Sequence, residues 1–211
     1  MKRIKVRLHT IIIASLSLAL LSACNKDDDS GPQAEDKPIA DSMFKENAEG
    51  WRITGDAQGG YTEASYSPDG GVQDGYIYAD DNVQGGVWYF TAPETYHGDK
   101  NEFYGAKLSF SLFQDSDMSN QFENSDIIFK NGDTQITYVY SPDAYPGEDW
   151  TDYSVTISAG NGWLIGEYDS EVEATEADIK AVLANVTEFS IRGEFESGPD
   201  NGGLDNIIID K

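Results

Sequence analysis

The chain has 211 residues, with 38 acidic and 14 basic side chains, a formal charge of −24, one cysteine and two histidines. A single cysteine excludes an internal disulfide, and with four of the cations inside the first seven residues no basic cluster remains elsewhere to neutralise a nucleic-acid backbone. Residues 39–211 suffice for one domain with its own core, and frequent glycine, 12% aromatics and a surplus of strand-like stretches point to an all-β sandwich.

The N-terminus MKRIKVR is basic and is followed by an apolar run from Ile11 to Leu21, broken only by Ser15 and Ser17. A bilayer-spanning helix needs about 20 apolar residues, so residues 1–23 read as a secretion signal rather than a permanent span. The run ends in Leu21-Ser22-Ala23-Cys24, which resembles the lipobox of bacterial lipoproteins. That resemblance implies that Cys24 becomes the lipid-carrying first residue, with enough acyl chains for stable anchoring. Cleavage would leave ten basic against 38 acidic residues, a net −28, which favours solubility and cation binding. Next, Asn25-Lys26-Asp27-Asp28-Asp29-Ser30 is similar to the tag that sends some lipoproteins to the outer face of the outer membrane; a solvated tether, or the periplasmic face, is the other reading. Residues 24–38 are polar, contain Gly31, Pro32 and Pro38, and are expected to form a disordered acidic linker.

Along residues 39–211 the strand candidates are Gly50 to Thr54, Tyr61 to Tyr66, Gly75 to Ala79 and Val87 to Thr91. The clearest is Ala106 to Phe113, where Leu108, Phe110 and Leu112 alternate with Lys107, Ser109 and Ser111. A hairpin is predicted from Asp126–Lys130 and Thr134–Tyr140 around Asn131-Gly132-Asp133, because Asn-Gly supplies the positive φ that tight turns need. Tyr153 to Ile157, Thr187 to Phe195 and Leu204 to Asp210 complete two packed sheets. One helix is expected: Thr175-Glu-Ala-Asp178 forms a capping-box pattern, and Ile179, Val182, Leu183 and Val186 fall on one stripe that should cover an end or edge of the sandwich.

Seven pieces of this stretch resemble a laminin B domain (laminin domain IV type A) over residues 44–210. They are Gly50-Trp51, Trp88 to Pro93, His97-Gly-Asp99 with Tyr104-Gly105, Trp150 to Tyr153, Asp178 to Val186, Ile191-Arg-Gly-Glu-Phe195 and Gly203-Leu-Asp-Asn-Ile207. The resemblance implies a jelly-roll-like β-sandwich of the galactose-binding-like type. It also implies a binding or adhesion module in place of an enzyme, and it places Trp51, Trp88 and Trp150 in the core.

The residues agree with the absence of the commoner catalytic sets. After cleavage His97 is the only histidine, so neither a multi-imidazole zinc site nor a supported Ser-His-Asp triad can be assembled, and it reads as a loop residue. A carboxylate-based glycan hydrolase stays open, since it needs only two acids at a set separation. Asp80-Asp81 and Asp115 to Asp117 lack the spacing of a calcium loop and read as solvated turns. The jelly-roll likeness implies a possible structural calcium near the first and last strands, at Glu46 and Asp205. Trp163 and Tyr145, set among turn residues, are the candidate exposed aromatics for stacking on a sugar, with a buried anchoring role as the alternative for Trp163. The expectation is a monomeric cell-surface module for an extracellular glycan or protein. A structural envelope protein without a small ligand is the alternative.

Overall fold

The computed structural model describes residues 37–117 and 119–211; the signal segment, Cys24 and the linker as far as residue 36 lie outside the described residues. In chain order the elements are β1 (Ala40–Ser42), β2 (Arg52–Thr54), β3 (Thr62–Glu63), β4 (Ser65–Ser67), β5 (Tyr76–Asp81), β6 (Tyr89–Thr91) and β7 (Lys107–Asp115), then β8 (Ile127–Asn131), β9 (Thr134–Tyr138), β10 (Thr151–Thr156), β11 (Leu164–Ile165), α1 (Glu176–Leu183), β12 (Glu188–Arg192) and β13 (Asp200–Asp210). They form two antiparallel sheets. One runs β10-β7-β13-β5-β4 with β1 also on β13; the other runs β11-β9-β8-β12-β6-β2-β3. This is the expected all-β jelly-roll-like sandwich with one short helix near the C-terminal part.

Period-two alternation sets the two faces of the first sheet. On β7, Leu108, Phe110 and Leu112 are buried between the sheets, while Lys107 and Asp115 are exposed at its ends. The longest strand, β13, pairs with β7 along one edge and shares the other between β5 and β1. A register shift between Asp205 and Ile208, with Asn206 at φ +54°, lets Leu204, Ile207 and Ile209 all reach the core. From the other sheet Phe129 stacks on Phe189 at 4.5 Å, and Trp51 meets Phe44, Tyr96 and Phe189 edge to face. The Trp51 indole N–H donates to Ser42 Oγ at 3.0 Å, so the polar end of a core ring is paired.

The predicted Tyr61 to Tyr66 strand is two strands in two sheets. β3 pairs with β2, β4 pairs with β5, and the Ala64 N–H donates to the Trp51 carbonyl where the chain changes layer. The strands β1 and β11 have three and two residues, too few for alternation to show. The helix forms as expected. Thr175 Oγ1 accepts from the Asp178 N–H, Asp178 Oδ2 accepts from the Thr175 N–H, and Ile179, Val182 and Leu183 are buried against β8, β9 and the Asn101–Phe103 turn.

The Ile191–Phe195 motif does its work at the end of β12. The Arg192 side chain is fully buried; Nη1 donates to Asp126 Oδ1 at 3.1 Å, Nη2 to the Phe122 carbonyl at 2.7 Å, and Nε to the Glu194 carbonyl. The guanidinium also lies over the rings of Phe122, Phe195 and Tyr145 at 4.5, 4.6 and 5.5 Å. Gly193 has no side chain because a Cβ there would come 1.8 Å from Trp88 Cζ3. Replacing Arg192 with Met should lower unfolding free energy by about 3–5 kcal/mol in a denaturant titration, since Asp126 keeps a buried charge without its partner. Adding Asp126→Asn should recover part of that loss; an unchanged midpoint in the single variant would contradict this account.

Candidate functional site

The register of the first sheet defines what its outer face carries. Tyr76, Tyr78 and Asp80 on β5, Asn201, Gly203, Asp205 and Ile208 on β13, Ser109, Ser111 and Phe113 on β7, and Asp152 and Ser154 on β10 share that side. Phe113 lies across Gly203, where a Cβ would stand 2.1 Å from Phe113 Cε1, so this glycine is the seat of the ring. Trp150 meets Phe113 at 4.8 Å and Tyr76 at 5.4 Å, both edge to face, and Tyr76 contacts Tyr78 at 5.8 Å. All four rings are half-buried. They form one aromatic patch on the solvent side of the sheet.

Polar groups flank the patch in cross-strand rows. Asn201 Nδ2 donates to Asp80 Oδ1 at 2.6 Å, and Ser111 Oγ donates to Asp152 Oδ1 at 2.7 Å. A groove of about 330 Å³ continues along the same face, bordered by Met43, Gln73, Asp152, Ser154, Asn206 and Ile208. Beside it, Asn206 Oδ1 is buried without a hydrogen-bond partner. The loop from Gly70 to Asp74 borders the patch: the Trp150 indole N–H donates to the Gly70 carbonyl at 3.0 Å, and the Val72 N–H donates to Asp205 Oδ2 at 2.8 Å.

The residues singled out from the sequence do not meet at one place. Of the two readings for Trp163, an exposed stacking ring or a buried anchor, the structure has the second: it is 1% exposed, packs on Phe129 and Tyr138, and its N–H donates to the Thr156 carbonyl. Glycine-rich flanks had suggested a surface loop, but the indole supplies the large apolar surface that fills the β11 end of the core. Tyr145 is half-buried, tilted against Phe195 at 5.0 Å with its O–H on the Phe122 carbonyl, so it braces the Arg192 surroundings instead of presenting a face. Glu46 is exposed, whereas Asp205 is buried and already accepts from the N–H groups of Val72 and Asn206. Burial pushes the Asp205 carboxyl above its usual range, and those two donors pull it back. Both Asp205 oxygens are thus engaged by backbone N–H groups, as in a turn-capping side chain, and Glu46 stands exposed.

Two other expectations also change: Trp150 leaves the core for the outer face, and Asp81 ends β5 almost fully buried instead of lying in a solvated turn. His97 lies in a loop as expected, half-buried there, with its pKa lowered by desolvation. The missed aromatics did leave a trace. In Tyr76-Ile-Tyr-Ala-Asp80 the alternation puts both tyrosines opposite the core residues, and Phe113 extends the outer series Lys107, Ser109 and Ser111.

The family model for laminin B (domain IV) matches residues 89–211. Among solved structures, the L4b domain of human laminin alpha-2 superimposes with a TM-score of 0.61 at 13% identity, over 82% of this chain and 97% of that one. A family 11 carbohydrate-binding module from Clostridium thermocellum, in complex with a beta-1,3-1,4-mixed-linked tetrasaccharide, gives 0.51 at 14% identity over 82% and 97%. An exo-beta-agarase gives 0.53 at 15% identity over 82% of this chain and 24% of its own length. At these identities the likeness is one of fold.

Asp205→Ala should cost about 1–3 kcal/mol by leaving the Val72 N–H without its acceptor, and should free the loop that holds Trp150. Thermal melting together with tryptophan emission checks this; an unshifted midpoint and spectrum would show that the loop stands without Asp205.

Proposed function

Because the chain belongs to the laminin B (domain IV) family, its model matching residues 89–211, we propose that it is a non-catalytic module that binds an extracellular glycan on the outer face of its first sheet. The observation that carries this reading is the patch of Tyr76, Tyr78, Phe113 and Trp150, with Asp80, Asn201, Ser111 and Asp152 in rows beside it. Aromatic rings stack on the apolar side of a pyranose, and carboxylate, amide and hydroxyl groups take up the sugar hydroxyls around it. A domain of strongly negative charge disfavours anionic polysaccharides, so the ligand class is a neutral glycan. The tetrasaccharide complex of the similarly folded module makes a beta-1,3-1,4-linked oligosaccharide the first probe.

The basic and apolar N-terminus and Leu21-Ser22-Ala23-Cys24 support a lipoprotein anchored at the outer membrane, displayed at the surface through lipid on Cys24. Such a tether would hold the module where polymeric glycan passes.

Calorimetric titration of purified protein with neutral oligosaccharides should show binding that weakens about tenfold in Trp150→Ala and in Tyr76→Ala, with folding retained. Binding left intact in both variants would move the ligand off this face, and no binding across a neutral-glycan array would sink the glycan reading. In cells, Cys24→Ser should shift the protein from the membrane to the soluble fraction and abolish palmitate labelling. Continued membrane retention of that variant would refute the lipid anchor.

A further inference from the structure

We propose that Asp56, Asp81 and Glu194 form a calcium site that ties the two sheets together at one end of the sandwich. Asp81 is the last residue of β5 in the first sheet, Asp56 follows β2 and Glu194 follows β12 in the second. One carboxylate oxygen from each lies within 4.8 Å of the others, inside the roughly 5 Å that spans a calcium coordination shell. The site is separate from the glycan face and from Glu46 and Asp205.

Glu194 is fully buried with both carboxylate oxygens unpartnered, and Asp56 Oδ1, Asp56 Oδ2 and Asp81 Oδ2 are likewise buried without a hydrogen bond. Asp81 is held in orientation by its other oxygen, which accepts from the Val83 N–H at 2.8 Å. Gly86 packs its backbone against Asp56, where a Cβ would come 2.0 Å from Oδ2. Arg192 lies nearby, but its donors go to Asp126 and to the carbonyls of Phe122 and Glu194. These five oxygens therefore have no donor, and one from each residue lies within 4.8 Å of the others.

Uncompensated carboxylates at this separation are costly in a buried setting, and the cost is met by a cation or by protons. Burial, with Asp56, Asp200 and Asp81 beside it, pushes the Glu194 carboxyl up to about 8. An all-oxygen donor set of three carboxylates suits calcium, which accepts bidentate groups and irregular geometry. Magnesium favours a small octahedron and retains most of its water.

The test is a melting curve and a calorimetric titration of purified protein, first stripped with chelator and then given calcium or magnesium. Calcium should raise Tm by roughly 5–10 °C near saturation. That shift should vanish in Asp56→Asn and in Glu194→Gln and persist in Asp80→Asn, an exposed neighbour. Asp56 lies in a partly exposed loop, so its variant keeps the test decisive if a buried one fails to fold. No heat and no shift with either metal would overturn the site, as would a calcium shift that survives both variants. An equal response to magnesium at the same concentration would overturn the assignment to calcium. Retained glycan binding in Asp56→Asn, alongside a lost calcium shift, would separate this site from the outer face.

Discussion

A buried guanidinium has to be paired, and the pairing of Arg192 organises one end of this molecule. Its three donor directions take the Asp126 carboxylate and two carbonyls, which draws the 122–126 segment and the exit of β12 together, and aromatic rings close around what remains. Desolvation lifts Asp126 to about 6, still ionised at neutral pH opposite the cation. With Arg192 held, Gly193 falls under the Trp88 ring, and Glu194 is turned into the end of the sandwich towards Asp56 and Asp81.

Adjacent glycines on β13 have opposite uses. Gly193 and Gly202 admit Trp88 inside the sandwich, where its N–H donates to Asp200 Oδ1 at 3.2 Å. Gly203, one residue on and so on the other face, seats Phe113 outside. Similar close approach of ring to backbone thus builds core on one side of β13 and an outward-facing, half-buried aromatic patch on the other. The pleat alone decides which. A side chain at Gly203 would lift Phe113 away from Trp150 and break the patch without touching the core.

The excess of acid is spread unevenly in consequence. On the outer face, carboxylates pair with amide and hydroxyl groups and stay near water, where their charge costs little. At the sandwich end, Asp81, Glu194 and Asp200 occupy buried positions that an apolar side chain would ordinarily fill. Such positions reduce the stability of the bare protein. Asp200 is paired there by Trp88 and Gln114, while the unpartnered oxygens of Asp81 and Glu194 suit the role of cation ligands.

Much of the architecture was legible in the residues themselves. The 107–113 alternation, the Asn-Gly turn and the Thr175 capping box act over a few neighbours, so local chemistry determines them, and the ordered motifs identified the family. The alternation of Tyr76 and Tyr78 even carried half of the aromatic patch. What only the tertiary structure decided were the contacts across layers. Trp163 is buried and Trp150 is not because of what packs over each, which flanking glycines do not reveal. The split of residues 61–66 between two sheets, and the meeting of Asp56, Asp81 and Glu194 from separate strands, come from chain crossings that no local pattern encodes. Charge, period and caps are properties of a stretch of sequence; burial and convergence are properties of the neighbours that folding brings.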